Sequence, residues 1–413
     1  MHTSGKKNRN ADKPSEKDER YFYDMMKKIG REMHECTGAF RVKSTSQPHI
    51  LDMCMAPGGF LATALNRNPG CKAVGFSLPI SQGGHKLRLV DSRVTVKFLD
   101  LTMLAADMGV TDKEVPAEHT DAHNFHLTSQ FENGVVFDLV LCDGNVLHLR
   151  DQPAIRAHEA RRLRLSQLVL ALERVREGGT MVVLLHKVDG WDSVQMLYTF
   201  RQFSRVRVFK PRMGHAKQSS FYMVAMDIRV GCLECVRAIE RWKGLWKVAT
   251  FGTVERYLEV ESMDEPDVHT VLGEFGPELA RLGKEAWKIQ AEALEQAPFI
   301  KRRQSRIHAC PNLSLTQPPR LSCHNLRHDL PQRRPMWLPP QQPSRSHSRH
   351  PLIRTPDIGP ILQHPPDLLL RSQKLHLRRR NEPHRKRSPR NHRMHILPLK
   401  RLILCEIVSF RSP

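Results

Sequence analysis

The stretch "LDMCMAPGGF", Leu51–Phe60, decides the fold. An apolar lead-in ends in one carboxylate, Asp52, turns on Pro57-Gly58-Gly59, and runs into "FLATALNRN", where apolar residues recur at helical spacing. A strand, a tight turn and a helix in that order place a ligand at the carboxyl end of the first strand of an open α/β sheet. The two glycines give the turn positive φ or let backbone come close to a neighbour. The pattern is not G-x-G-x-x-G, and no lysine–serine pair follows the glycines, which argues against dinucleotide and nucleoside-triphosphate sites.

Outward from this corner, strand-like and helix-like runs alternate. A helix is expected from about Tyr21, with Phe22, Met25, Met26, Ile29 and Met33 on one face. Strands are expected in "PHILDMCM", "CKAVGFSLP", "SRVTVKFLDL", "GVVFDLVLCDG", "TMVVLLHKVD", "RVRVFKP" and "SSFYMVAMDI". Between the fourth and fifth, "AHEARRLRLSQLVLALERVREGG" reads as a long helix with its C-cap at the glycines. The pattern predicts a Rossmann-like α/β fold: a seven-stranded, mostly parallel sheet with helices on both faces. About ten residues separate the last two strands, too few for a helical crossover, so that pair is expected to be antiparallel.

Composition divides the 413 residues. Residues 1–19 are polar and read as a solvated tail, 20–230 as the sheet domain, and 231–300 as a helical appendage. Its best helix starts near Pro277, with Leu279, Leu282, Ala286, Ile289 and Ala293 on one face. Residues 301–413 hold 24 of the 65 Lys/Arg, only 5 of the 43 Asp/Glu, and 17 of the 28 prolines, so disorder is expected there. Two readings of that segment stand side by side: a basic RNA-binding tail, or translation of another frame or a retained intron. The net charge of +22 comes mostly from it, since residues 1–300 carry 41 basic against 38 acidic residues. Global charge therefore says nothing about nucleic-acid binding by the sheet domain. No apolar run reaches a membrane span, the N-terminus lacks a secretory core, and the nine cysteines have no spacing pattern. The expectation is a reduced, intracellular protein, nuclear or cytoplasmic.

"LDMCMAPGGF" resembles the first motif of S-adenosylmethionine-dependent RNA methyltransferases, D-x-x-A-A-P-G-G-x. Two groups share it. In the RNA cytosine-5 enzymes the motif often carries a cysteine, as Cys54 does here, and the chemistry needs a cysteine nucleophile after the fourth strand. In this chain Cys142 precedes Asp143, no Pro-Cys pair follows, and Phe60 stands where that group has lysine. The remaining motifs resemble the FtsJ (RrmJ-like) ribose 2′-O-methyltransferases from about residue 20 to 228: Asp143 in "DLVLCDG", Lys187 in "EGGTMVVLLHKVDG", and the "KP" and "SSFY" of "VFKPRMGHAKQSSFYMVAM".

The resemblance implies S-adenosyl-L-methionine as cofactor and RNA as substrate. Its catalytic set is Lys-Asp-Lys-Glu. Asp143 and Lys187 match the middle two, Lys28 or Lys27 is the candidate for the first, and Ser220 occupies the place of the glutamate. It implies cofactor contacts at Asp52, Pro57, Gly58, Gly59, Phe60 and Asp143, and an adenine contact at Asp100. Ser77 falls where the family has a ribose-binding acid. A lysine in a cleft suits ribose chemistry because a hydroxyl reacts only once it is aimed or its proton is accepted. Two rivals are a degenerate methyltransferase fold that binds RNA or protein without catalysis, and the cytosine-5 reading. His119, His123 and His126 in a polar insertion, the lone "CLEC" at Cys232–Cys235, and His308, Cys310, Cys323, His324 and His328 lack the paired spacing of a zinc site.

Overall fold

The structure is a computed structural model that describes residues 15–42, 45, 47–144, 153–263 and 265–297. The tail from residue 301, with its two readings and its His/Cys candidates, lies outside the described residues. Seven strands form one sheet: β1 His49–Asp52, β2 Lys72–Ser77, β3 Val94–Phe98, β4 Phe137–Cys142, β5 Val175–His186, β6 Arg205–Phe209 and β7 Ser220–Met226. Their order is β3-β2-β1-β4-β5-β7-β6. β1 to β5 pair in parallel, and β7 runs antiparallel to both β5 and β6, as the short β6–β7 connection requires. The order reverses between β1 and β4, which opens the crevice where such sheets take ligands.

α1 (Glu16–Thr37) starts five residues before the expected Tyr21. The cause is a capping box: the Ser15 hydroxyl accepts from the Asp18 amide at 3.2 Å, and the Asp18 carboxylate accepts from the Ser15 amide at 3.1 Å. Met26, Ile29, Gly30 and Met33 form its buried stripe. That stripe lies on α2 (Gly59–Arg67) so closely that a Cβ on Gly30 would meet Thr63 Oγ1 at 2.9 Å.

The long helix after β4 departs from expectation at its end. α3 (Pro153–Arg174) stops four residues before Gly178, because Val175 already pairs with Phe137 in the sheet. Arg176 bonds the buried Asp138 carboxylate at 2.8 Å, and Gly178, at φ 76°, donates to the Ile228 carbonyl at 2.8 Å. The ladder shifts register between Phe137 and Leu139. The glycines serve an irregularity in β5, not a helix cap.

Two apolar layers sandwich the sheet. One gathers α1 and α2 residues with Ile50, Leu139, Leu141, Tyr222 and Val224; the other gathers α3, α4 (Trp191–Arg201) and the C-terminal helices. These are α5 (Leu233–Phe251), α6 (Val254–Met263) and α7 (Val268–Glu295). α7 begins nine residues before Pro277, capped by Asp267, whose carboxylate accepts from the Thr270 amide at 2.8 Å. Pro277 sits inside it and leaves the carbonyl of exposed Gly273 without its helical donor, a place water can serve. The insertion before β4 is anchored to α5: His119 bonds the Thr250 carbonyl at 3.0 Å and packs on Phe125 and Phe251. None of the described helices is long and apolar enough to cross a membrane.

Candidate active site

The site is built from the carboxyl ends of β1 to β5. Asp52 closes β1, is buried, and among the described residues accepts only from the Cys54 amide at 3.3 Å. Burial pushes its carboxyl up to about 7. Asp143 follows β4, and burial first, then the neighbouring Asp52, raise its carboxyl well above the usual carboxylate range, while Tyr222 pulls the other way. Asp100 follows β3 and accepts from the Thr102 amide and hydroxyl, both at 2.8 Å. No hydrogen bond or ion pair to a cationic side chain engages any of these three carboxylates among the described residues. An acidic recess without cations suits a ligand that brings its own positive charge.

The corner between β1 and α2 is shaped by the protein itself. Gly58 adopts φ 104°, and a Cβ there would lie 2.6 Å from Leu89 Cβ. A Cβ on Gly59 would lie 2.5 Å from Met26 Cβ and 2.6 Å from the Tyr23 carbonyl oxygen. The β2–β3 connection is pinned over the corner, since the Arg88 amide donates to the Pro57 carbonyl at 3.0 Å. Both glycines are therefore demanded by α1 and Leu89 before any ligand arrives. The Phe60 ring is turned into the core, 5.9 Å from Phe40 and 5.4 Å edge-on from Tyr222, so only its backbone can face a ligand. Met55 stands where the motif has alanine, and Gly75 of β2 makes the room: a Cβ there would meet Met55 Sδ at 2.1 Å. Ser77 ends β2, buried, its hydroxyl 3.5 Å from the Leu78 carbonyl.

Across the crevice, Lys187 follows β5 with its side chain exposed. Its backbone is left-handed, φ 56°, a conformation that costs a non-glycine residue about 1–2 kcal/mol. Two bonds hold it: its amide donates to the Ser219 carbonyl and its carbonyl accepts from the Gly190 amide, both at 2.8 Å. Asp227 has the same φ far from the crevice, so the backbone alone does not mark a site. No hydrogen bond or ion pair joins Lys187 to Asp143 among the described residues. Ser220 opens β7 opposite His186, and its buried hydroxyl has no partner among the described residues. On α1, Lys27 lies beside the glycine corner with its ammonium 5.2 Å over the Tyr23 ring. Lys28 shares a face with Met25, which abuts Gly214, and with Glu32, which takes the Arg212 amide at 3.0 Å. Lys28 thus faces the β6–β7 connection that also holds Lys187.

Residues 28–228 match the model of the family described as FtsJ-like methyltransferase. The chain carries an FtsJ-like methyltransferase domain. Over 191 residues it is 26% identical to an inactive cap-specific mRNA (nucleoside-2′-O-)-methyltransferase 1B of Caenorhabditis briggsae, covering 46% of this chain and 22% of that protein. Over 183 residues it is 26% identical to the cap-specific mRNA (nucleoside-2′-O-)-methyltransferase 1 of Caenorhabditis elegans, covering 44% of this chain and 19% of that protein. The chain spans about a fifth of the length of the curated relatives it matches. Among solved structures, the N-methyltransferase NodS of Bradyrhizobium japonicum WM9 matches with TM-score 0.30 and 13% identity over 49% of this chain and 98% of that one.

Within the FtsJ-like domain the cysteines are poor nucleophiles. Burial raises the thiols of Cys54 and Cys142 well above their ordinary value, and the carboxylates around them add to it. The cytosine-5 chemistry finds no activated thiol here. Sequence reasoning passed over Lys210, the lysine of "KP". It is buried, and its Nζ donates to the carbonyls of Ser220 at 2.6 Å, His215 at 2.9 Å and Gln218. Burial pulls its pKa down to about 8. Three carbonyls take its three N–H groups, so it acts as a fastener of the β6–β7 connection. A lysine at a strand end followed by proline was the available signal. Tyr222 was likewise missed: burial first, then the neighbouring Asp143, raise its phenol well above the ordinary value.

Proposed function

We propose that this domain transfers a methyl group from S-adenosylmethionine to a ribose 2′-hydroxyl of RNA. The observation that carries the proposal is the division of the crevice: three carboxylates with no cationic partner on the β1–β4 side, and lysines on the β5 and α1 side. The cofactor, when bound, supplies an electrophilic methyl on a positively charged sulfur. Asp52, Asp100 and Asp143 suit that charge and its polar groups, and the backbone at Pro57–Phe60 lines the turn beside them. Lys187, exposed at the crevice rim, donates a hydrogen bond that aims the 2′-oxygen, and Lys28 approaches from α1. Alignment of hydroxyl and methyl is the main source of rate in an in-line transfer. The names of the relatives make capped messenger RNA the first substrate to try.

A labelled-methyl assay over capped messenger, ribosomal and transfer RNA, with nuclease mapping of the resistant ribose, tests this. Transfer to a base and not to ribose would reject it. One observation favours a second reading, a fold that binds RNA without catalysis: Ser220 presents an unpartnered buried hydroxyl where the resemblance calls for a carboxylate. RNA and cofactor binding with no transfer to any RNA would select that reading.

A further inference from the structure

α1 and α2 run side by side in the same direction: Gly59, the first residue of α2, abuts Tyr23, Met26 and Lys27, and one turn further on Gly30 abuts Phe60 and Thr63. The turns of α1 before Tyr23 therefore reach about 10 Å past the start of α2, at the mouth of the crevice. They are held from one side. Arg88 of the β2–β3 connection donates to the Glu16 carbonyl at 2.8 Å and to the Glu19 carboxylate at 3.1 Å. The opposite side carries Tyr21, which stands four residues before Met25 and seven before Lys28, on the face that meets the β6–β7 connection. Tyr21 is 68% exposed. Lys17, Arg20 and Lys28 are exposed too, and their side chains make no hydrogen bond or ion pair among the described residues. The acids of the same turns are engaged within the protein, Glu16 and Glu19 by Arg88 and Asp18 by the Ser15 cap, with Asp24 left exposed.

We propose that this projecting part of α1 is a ledge for single-stranded RNA, on which Tyr21 stacks a base flanking the methylated nucleotide while Lys17 and Arg20 meet phosphates; the proposal rests on the RNA reading above. A helix that uses its anions for its own packing and leaves cations around an exposed ring suits a polyanion with flat faces. Bases of any sequence stack on such a ring, and the cations follow the backbone charge. The ledge is continuous, through Lys28, with the side of the crevice that holds Lys187. A strand presenting its ribose there passes beneath Tyr21, which favours RNA over a protein partner.

The test uses the full chain, a fluorescein-labelled single-stranded RNA, and the same RNA carrying 5-iodouridine. Irradiation is expected to crosslink the iodouridine RNA to Tyr21, read by mass spectrometry of the peptides. Tyr21→Ala is expected to weaken RNA binding by about fivefold or more and Tyr21→Trp to hold or tighten it, with S-adenosylhomocysteine affinity within about twofold in both. Arg20→Ala is expected to lower the salt slope of binding by about 0.7. Parental RNA affinity in Tyr21→Ala overturns the ledge. So do crosslinks confined to other residues, and so does a loss in Tyr21→Trp equal to that in Tyr21→Ala, which would mark a structural role. Methylation of ribose with Tyr21→Ala unimpaired at subsaturating RNA sinks the ledge and spares the activity. RNA binding that Tyr21→Ala weakens, in a parent that methylates no ribose, keeps the ledge and sinks the activity.

Discussion

The two halves of the crevice are made in opposite ways. The β1–β3 half comes from short, contiguous runs of chain, and its inner surfaces are packed before any ligand binds: Gly58 against Leu89, Gly59 against α1, Met55 over Gly75. The β5–β7 half draws Lys187, Ser220 and a helix-borne lysine from segments far apart in sequence, and it keeps an exposed ammonium and an orphan hydroxyl. The first half is a preformed cradle. The second is held together by tethers, and its chemistry depends on those tethers staying in place.

The largest expected effect lies in the tethered half. Lys187→Ala should lower methyl transfer by roughly 10²–10⁴-fold, the usual worth of a positioned acid–base or steering group, with S-adenosylhomocysteine affinity unchanged by calorimetry. Equal loss of both would erase the distinction between the halves. Next comes the buried carboxylate of the cradle. The Asp52 carboxyl rises from 3.8 unfolded to about 7 folded, so folding favours its protonated form. Its contribution to stability is intact below pH 4 and is lost as pH rises through 7. Asp52→Asn should therefore stabilise the ligand-free protein by up to about 4 kcal/mol at pH 8 and by nothing at pH 4. Urea titrations at the two pH values check this, and an equal gain at both would show that burial of charge is not the cause. The same carboxyl predicts proton release when a cationic cofactor binds at pH 6, read from calorimetry in two buffers of different ionisation enthalpy.

Lys210→Met should cost on the order of 3 kcal/mol, because three carbonyls lose a charged donor, and should impair transfer more than cofactor binding. Denaturant unfolding and the transfer assay measure the two parts. The smallest effect is expected at the residue that first draws the eye. Cys54→Ala should change methyl transfer by less than about threefold, since its raised thiol takes no part in the chemistry. A large loss would return cysteine chemistry to consideration.

The difference between the halves also explains what the sequence made legible. Strand number, the parallel core and the antiparallel final pair follow from hydrophobic period and connection length, both local properties. Asp52, Gly58 and Gly59 could be placed because one ten-residue run contains them. Local reading was less able to say what a residue packs against. Phe60 read as a ligand contact, yet its ring is drawn into the core by Phe40 and Tyr222. Gly178 and Gly179 looked like a helix cap, yet the buried Asp138 carboxylate and the β4 ladder claim Val175 and Arg176 first. Tyr222 becomes visible only when β7 is brought beside β5, and the grip of Lys210 only when β6 meets β7. The choice between Lys27 and Lys28 likewise depends on which helix face meets the β6–β7 connection.

The place of β7 has a consequence for how the molecule comes into being. Of the seven described strands it is the last to leave the ribosome, yet it lies between β5 and β6, which are both already made. Until it is threaded in, the Ser219 carbonyl is not there to hold Lys187 in its left-handed turn, and Lys210 has no Ser220 carbonyl to grip. A nascent chain ending near residue 210 would also lack the Tyr222 ring that packs on Phe60 at the β1–α2 corner. The insertion of β7, next to the sheet's edge, is thus what completes both the turn at Lys187 and the grip of Lys210.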